Sequence, residues 1–156
     1  MTRTQVLDRS VAEALSALSG AAKRGLGDPV LAELVVIRAS QINHCAFCLD
    51  MHLALARKAG VSEKRLELLN AWEEAEDHYS ERERAALALT EAVTVLTPSA
   101  SRTASGRGFV PDAVYERATE HFDETELAHL VGLITAINSW NRLMVSHRVA
   151  PGGYRA

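Results

Sequence analysis

The chain has 156 residues, a length that fits one domain with its own core. Apolar residues make up 47% and charged residues 24%, and the formal net charge is −3. Those values describe an ordinary globule and give no electrostatic case for nucleic acid or an anionic membrane. No apolar run reaches the roughly 20 residues of a membrane span, and residues 1–9 carry no apolar signal-peptide core. A cytoplasmic chain is therefore expected.

The pattern reads as helix nearly throughout. Val11, Leu15 and Leu18 mark an apolar stripe in a first helix over about 8–24, broken by Gly25-Leu26-Gly27-Asp28-Pro29. Asp28 is placed to cap a second helix, with Pro29 at its first position. That helix runs from Pro29 to Ile42 and is apolar over most of its surface, so burial is expected. Asn43 is read as the cap of a third helix from His44 to Ala59, ended by Gly60. Ser62 opens a fourth. Residues 72–79 are polar and irregular around Trp72. Ser80 with Glu83 has capping-box form and starts a fifth helix to about Leu96. The small, polar stretch 97–110 reads as a mobile loop, in which Arg102 and Arg107 are candidates for closing over an anionic substrate. A sixth helix starts near Pro111-Asp112. Asp123 with Glu126 caps a long last helix through Leu130, Ile134, Ile137 and Leu143, and the tail from Pro151 reads as loose. No strand-period alternation persists, so the fold class is all-α.

The two cysteines of the chain, Cys45 and Cys48, stand three residues apart, and His52 follows four residues later. At about 100° per residue, both thiols and the imidazole share one stripe of a helix. Cα atoms at i and i+3 also lie within the range a disulfide tolerates. In a reducing compartment such a pair is more often catalytic or metal-binding than a structural crosslink. A reactive cysteine must be a thiolate, and a free one is only a few per cent ionised at neutral pH. A helix N-terminus near Cys45 and the imidazole of His52 both raise that fraction. Two plainer readings stand beside this one. The cysteines are small hydrophobes in a core, or they bind zinc with His52 and either His44 or Glu33. Three ligands within eight residues of one helix converge poorly on a tetrahedron, which weighs against zinc.

From Glu33 to His52 the sequence reads Glu-x11-Cys-x2-Cys-x3-His. This pattern resembles the alkylhydroperoxidase D-like branch of the carboxymuconolactone decarboxylase superfamily. Weaker likeness extends to residues 83–92, 110–115 and 138–142, so the resemblance covers roughly 10–148 within a single domain. It implies an all-α fold assembled into homotrimers or homohexamers. It also implies a peroxidase that uses no metal or organic cofactor and takes electrons from a thiol or dithiol reductant protein. By resemblance Cys48 attacks the hydroperoxide, Cys45 resolves the sulfenic acid as a disulfide, and His52 with Glu33 forms the proton relay. The helix dipole by itself favours Cys45 as the easier thiolate. One departure is visible: the hydroperoxidases carry a histidine just before the second cysteine, where this chain has Phe47. A redox switch with little turnover and a non-catalytic helical oligomer are the alternative functions. His44 is a candidate second proton donor, and Trp140, Asn141 and Arg142 are candidates for lining a pocket. His78, His121, His129 and His147 read as surface or packing residues.

Overall fold

The computed structural model describes residues 7–96 and 109–152. Most of the 97–110 stretch lies outside the described residues. Seven α-helices follow in chain order among them: α1 (Arg9–Leu26), α2 (Pro29–Ile42), α3 (Ala46–Lys58), α4 (Glu63–Leu68), α5 (Glu81–Thr94), α6 (Asp112–Thr119) and α7 (Glu124–His147). Two short 3₁₀ turns, Leu69–Glu74 and Glu76–His78, join α4 to α5. No strand is present among the described residues.

The helix starts follow their capping residues. Asp28 accepts a hydrogen bond from the Leu31 N–H at 3.0 Å, and Pro29 occupies the first turn, where its missing N–H costs nothing. Reciprocal capping boxes open α5 (Ser80 with Glu83) and α7 (Asp123 with Glu126).

α2 is the centre of the molecule and packs against α3, α5 and α7. Its apolar residues serve two cores. Leu31, Ala32, Val35, Val36 and Ala39 join α1, α5 and α7, whereas Leu34 and Ile37 join Val61, Leu66, Trp72, Tyr79 and Leu87. A helix that is apolar all round needs such two-sided burial, and it is this position that carries Glu33 into the interior.

Two features of α1 differ from the sequence reading. The helix continues through Gly25 and ends at Gly27, which takes the left-handed conformation at φ 66°. Gly25 is instead a contact position: a methyl group there would meet the His129 ring of α7 at 2.1 Å. The Val11-Leu15-Leu18 stripe does not face the core. Val11 and Leu18 are 44% and 40% exposed, and α1 buries Ala22 and Leu26. At the other end, the Gly152 N–H donates to Asp50, which ties the start of the tail to α3.

Candidate active site

The site is built where α2 turns into α3. Asn43 does not cap α3, as its residue type led us to expect. It ends α2, and its side-chain amide donates to Asn138 and Asn141 of α7, both at 2.9 Å. Asn141, fully buried, donates in turn to Ser40 at 3.0 Å, and Asn138 donates to Thr94 at 3.0 Å. This amide chain clasps the turn to α7. His44 follows with φ 55°, and Cys45 then takes an extended conformation and caps α3 itself: its Sγ accepts from the Cys48 N–H at 3.3 Å. Cys45 is therefore one residue outside the helix, not in its first turn. The Cα atoms of Cys45 and Cys48 are 5.3 Å apart and the two are joined as a disulfide. Each is 1% exposed.

One turn further along α3, His52 is buried on the same face as Cys48. Its Nδ1 lies 2.8 Å from Oε2 of Glu33. A carboxylate only accepts, so Nδ1 carries the proton in this pair and Nε2 is the ring atom left to exchange one. The other oxygen of Glu33 accepts from Nζ of Lys23 on α1. Burial by itself would raise the Glu33 carboxyl. The hydrogen bond and charge of His52, followed by those of Lys23, outweigh it and hold the group below the ordinary carboxylate range. Glu33 is thus an anion held between two donors on different helices, in an otherwise apolar interior.

Cys48, His52 and Lys23 border one cavity of about 510 Å³. Its remaining walls are chiefly apolar, from Phe47, Met51, Leu55, Leu133, Ile137 and Trp140. α1 contributes Ser16, Ser19, Gly20 and Lys23, spaced as one helical face. The Trp140 indole N–H donates to Ser19 at 3.2 Å, so this tryptophan both lines the cavity and links α7 to α1.

The structure therefore brings Glu33, Cys45, Cys48 and His52 together. Lys23 is the member that sequence reasoning missed. It stands on a separate helix ten residues before Glu33, a relation with no helical periodicity to announce it. Among the described residues Arg142 has no ion-pair partner; its guanidinium donates to the Asn138 carbonyl and amide oxygens. Neither His78, His121, His129 nor His147 lines the cavity. Among the described residues, no group of three or more His, Cys, Asp and Glu side chains is placed to hold a metal ion. No helix among them is long and apolar enough to cross a membrane.

Residues 9–92 match the carboxymuconolactone decarboxylase family. The chain is 47% identical over 114 residues to the uncharacterized protein YdfG of Bacillus subtilis (strain 168), spanning 73% of this chain and 71% of that protein. It is 34% identical over 126 residues to the uncharacterized protein YnjA of Escherichia coli (strain K12), spanning 78% of this chain and 63% of the relative. Among solved structures, it superposes with a TM-score of 0.82 on a protein of unknown function from Agrobacterium tumefaciens, provisionally assigned to AhpD antioxidant defence; identity is 32% and coverage 94% of each chain. The debrominase Bmp8 shares the fold, with a TM-score of 0.63, 14% identity, and coverage of 94% of this chain and 90% of that one.

Proposed function

The chain belongs to the carboxymuconolactone decarboxylase family and has the AhpD-like all-α fold, and from that premise we propose that it is a thiol-dependent peroxidase. The observation that carries the reading is the Cys45–Cys48 disulfide with Cys48 on the wall of a cavity that His52, paired with Glu33 behind it, also borders. In the reduced enzyme His52, oriented by Glu33, takes the thiol proton of Cys48. The thiolate attacks the distal peroxide oxygen, the O–O bond breaks, and the alcohol leaves with the proton from His52. Cys45 then displaces water from the Cys48 sulfenic acid and closes the disulfide. The sum is ROOH + 2 RSH → ROH + H₂O + RSSR, with no metal or organic cofactor. The apolar walls of the cavity suit an organic hydroperoxide better than hydrogen peroxide, because they contribute burial of R and little hydrogen bonding.

The burial of both sulfurs favours a second reading, a redox switch that oxidises without rapid turnover. The two separate in one assay: reduced protein is mixed with excess cumene hydroperoxide and excess dithiothreitol, and peroxide loss is followed over many equivalents. Multiple turnovers per chain support the peroxidase. A single equivalent consumed leaves the switch, and no thiol loss at all removes both.

Assembly is proposed as a homotrimer or homohexamer, from family membership. The long helix α7 contributes little to an interface through Leu127, Leu130, Leu133, Ile134 and Ile137, which the chain itself buries. The exposed large apolar residues are Val11 and Leu18 on α1, Val95 and Leu96 after α5, Phe109, Tyr115 on α6 and Val145. A monomer mass by light scattering at micromolar concentration would remove the proposal.

A further inference from the structure

The two cysteines of the disulfide border different spaces. Cys48 borders the 510 Å³ cavity with His52 and Lys23; Cys45 does not. Cys45 borders a separate groove of about 280 Å³ together with His44, Val145, Arg148 and Val149; Cys48 does not. Phe47 and Met144 line both and form the partition between them. Phe47 is the position where the sequence departs from the histidine of the hydroperoxidases.

We propose that this groove is the entry site of the reductant, and that the reductant is a small anionic thiol attacking Cys45. The proposal deepens the dithiol reading of the site, whether the oxidant is a peroxide or the pair acts as a switch. Thiol–disulfide exchange is an in-line displacement, so the nucleophile reaches one sulfur from the side away from the leaving one. From the groove, the sulfur within reach is Cys45. Its attack forms a bond from the incoming sulfur to Cys45 and breaks the bond to Cys48. Cys48 leaves as a thiolate beside His52, which is placed to supply its proton. A second thiolate then attacks the outer sulfur of the mixed disulfide and releases Cys45. The balance is one protein disulfide plus two small thiols giving the protein dithiol plus one small disulfide.

The charge of the ligand is read from the rim. His44 and Arg148 are both exposed, and neither has a carboxylate partner among the described residues. Among the described residues no Asp or Glu lines the groove. These two are also the non-glycine residues with positive φ among the described residues, at 55° and 53°. Arg148 occupies the left-handed position just after α7, where glycine or asparagine is usual and another side chain is strained. Two residues of positive φ thus border the same groove as Cys45, each with a side chain able to carry positive charge, and this arrangement is the charge complement of an anion. It attracts the thiolate and a neighbouring carboxylate, and the groove's volume admits a small molecule.

The test uses the oxidised full-length protein and no peroxide, so it stands or fails separately from the peroxidase activity. Thioglycolate, 2-mercaptoethanol and cysteamine are compared at equal thiolate concentration, following dithiol formation. Glutathione mixed disulfides are trapped with N-ethylmaleimide and located by fragment mass spectrometry. The expected result is glutathione on Cys45 with the maleimide on Cys48, and thioglycolate faster than cysteamine by on the order of tenfold. Arg148→Glu is expected to abolish that preference and Arg148→Lys to keep it. Arg148→Gly is expected to maintain or raise the melting temperature while slowing thioglycolate, which a purely structural arginine would not do. Glutathione on Cys48 overturns the proposal, and so does the absence of any charge preference in the wild-type protein.

Discussion

Lys23 and His52 share one carboxylate. The ammonium binds one oxygen of Glu33 and the imidazole Nδ1 lies 2.8 Å from the other. The relay therefore has three members from three helices, and its two outer members, Lys23 and His52, both border the cavity. Lys23 contributes to holding the Glu33 carboxyl low. Removing it takes away one lowering influence while burial still raises the group. Lys23→Met is thus expected to move the acid limb of the peroxide-oxidation profile to higher pH, with the rate deficit largest at the acid end and fading toward neutral pH. Lys23→Arg restores most of the loss. A rate deficit equal at every pH would mean that Lys23 acts on packing and not on the relay.

Glu33 itself ties this chemistry to stability. Its folded-state carboxyl titrates below the ordinary value. The stabilisation is therefore present above the unfolded value, about 4.3, and is lost as pH falls through the depressed folded one. Glu33→Gln is expected to cost about 1.5–3 kcal/mol at pH 7, the range for hydrogen bonds to charged groups. Denaturant melts across pH should show the gap between wild type and variant narrowing below about pH 4. The same variant is expected to slow thiol oxidation at neutral pH by on the order of 10²–10⁴-fold, with partial recovery at alkaline pH. A stability gap that does not narrow in acid would contradict the account of Glu33 as a buried anion.

The clasp on the α2–α3 turn offers a third test. Asn43→Ala removes two hydrogen bonds to α7 and leaves the buried Asn141 oxygen without that donor. A loss of about 1–3 kcal/mol is expected from denaturant unfolding. The turn also holds Cys45 against Cys48, so the equilibrium with glutathione should shift toward the dithiol, by roughly threefold to tenfold, as the two sulfurs become less well preorganised. An unchanged redox equilibrium would confine Asn43 to stability alone.

Much of this was legible in the sequence because local chemistry dictates it. Asp28-Pro29 marks the start of α2, and Ser80 with Glu83 and Asp123 with Glu126 mark those of α5 and α7. The spacing of Cys45, Cys48 and His52 places them together for the same reason. What escaped was tertiary. Asn43 is a fit N-cap by type, yet its amide is drawn to Asn138 and Asn141 nearly a hundred residues away, and Cys45 takes the cap with its own sulfur. Gly25 looks like a helix stop but serves a close approach by His129. The polarity of α1 misled as well: its most apolar stripe faces outward, and Ser16, Ser19, Gly20 and Lys23 form the wall that matters.

The division of labour between the two sulfurs is the centre of the account. The helix N-terminus alone favours Cys45 as the easier thiolate, whereas the cavity and His52 adjoin Cys48. The direct measurement is to treat reduced Cys45→Ser and Cys48→Ser proteins with one equivalent of cumene hydroperoxide in the presence of dimedone, and to read intact mass. The account predicts one sulfenic-acid adduct on Cys48 in the Cys45→Ser protein and none in the Cys48→Ser protein. An adduct on Cys45 with an inert Cys48 would contradict it, and adducts on neither would remove the peroxidase reading altogether.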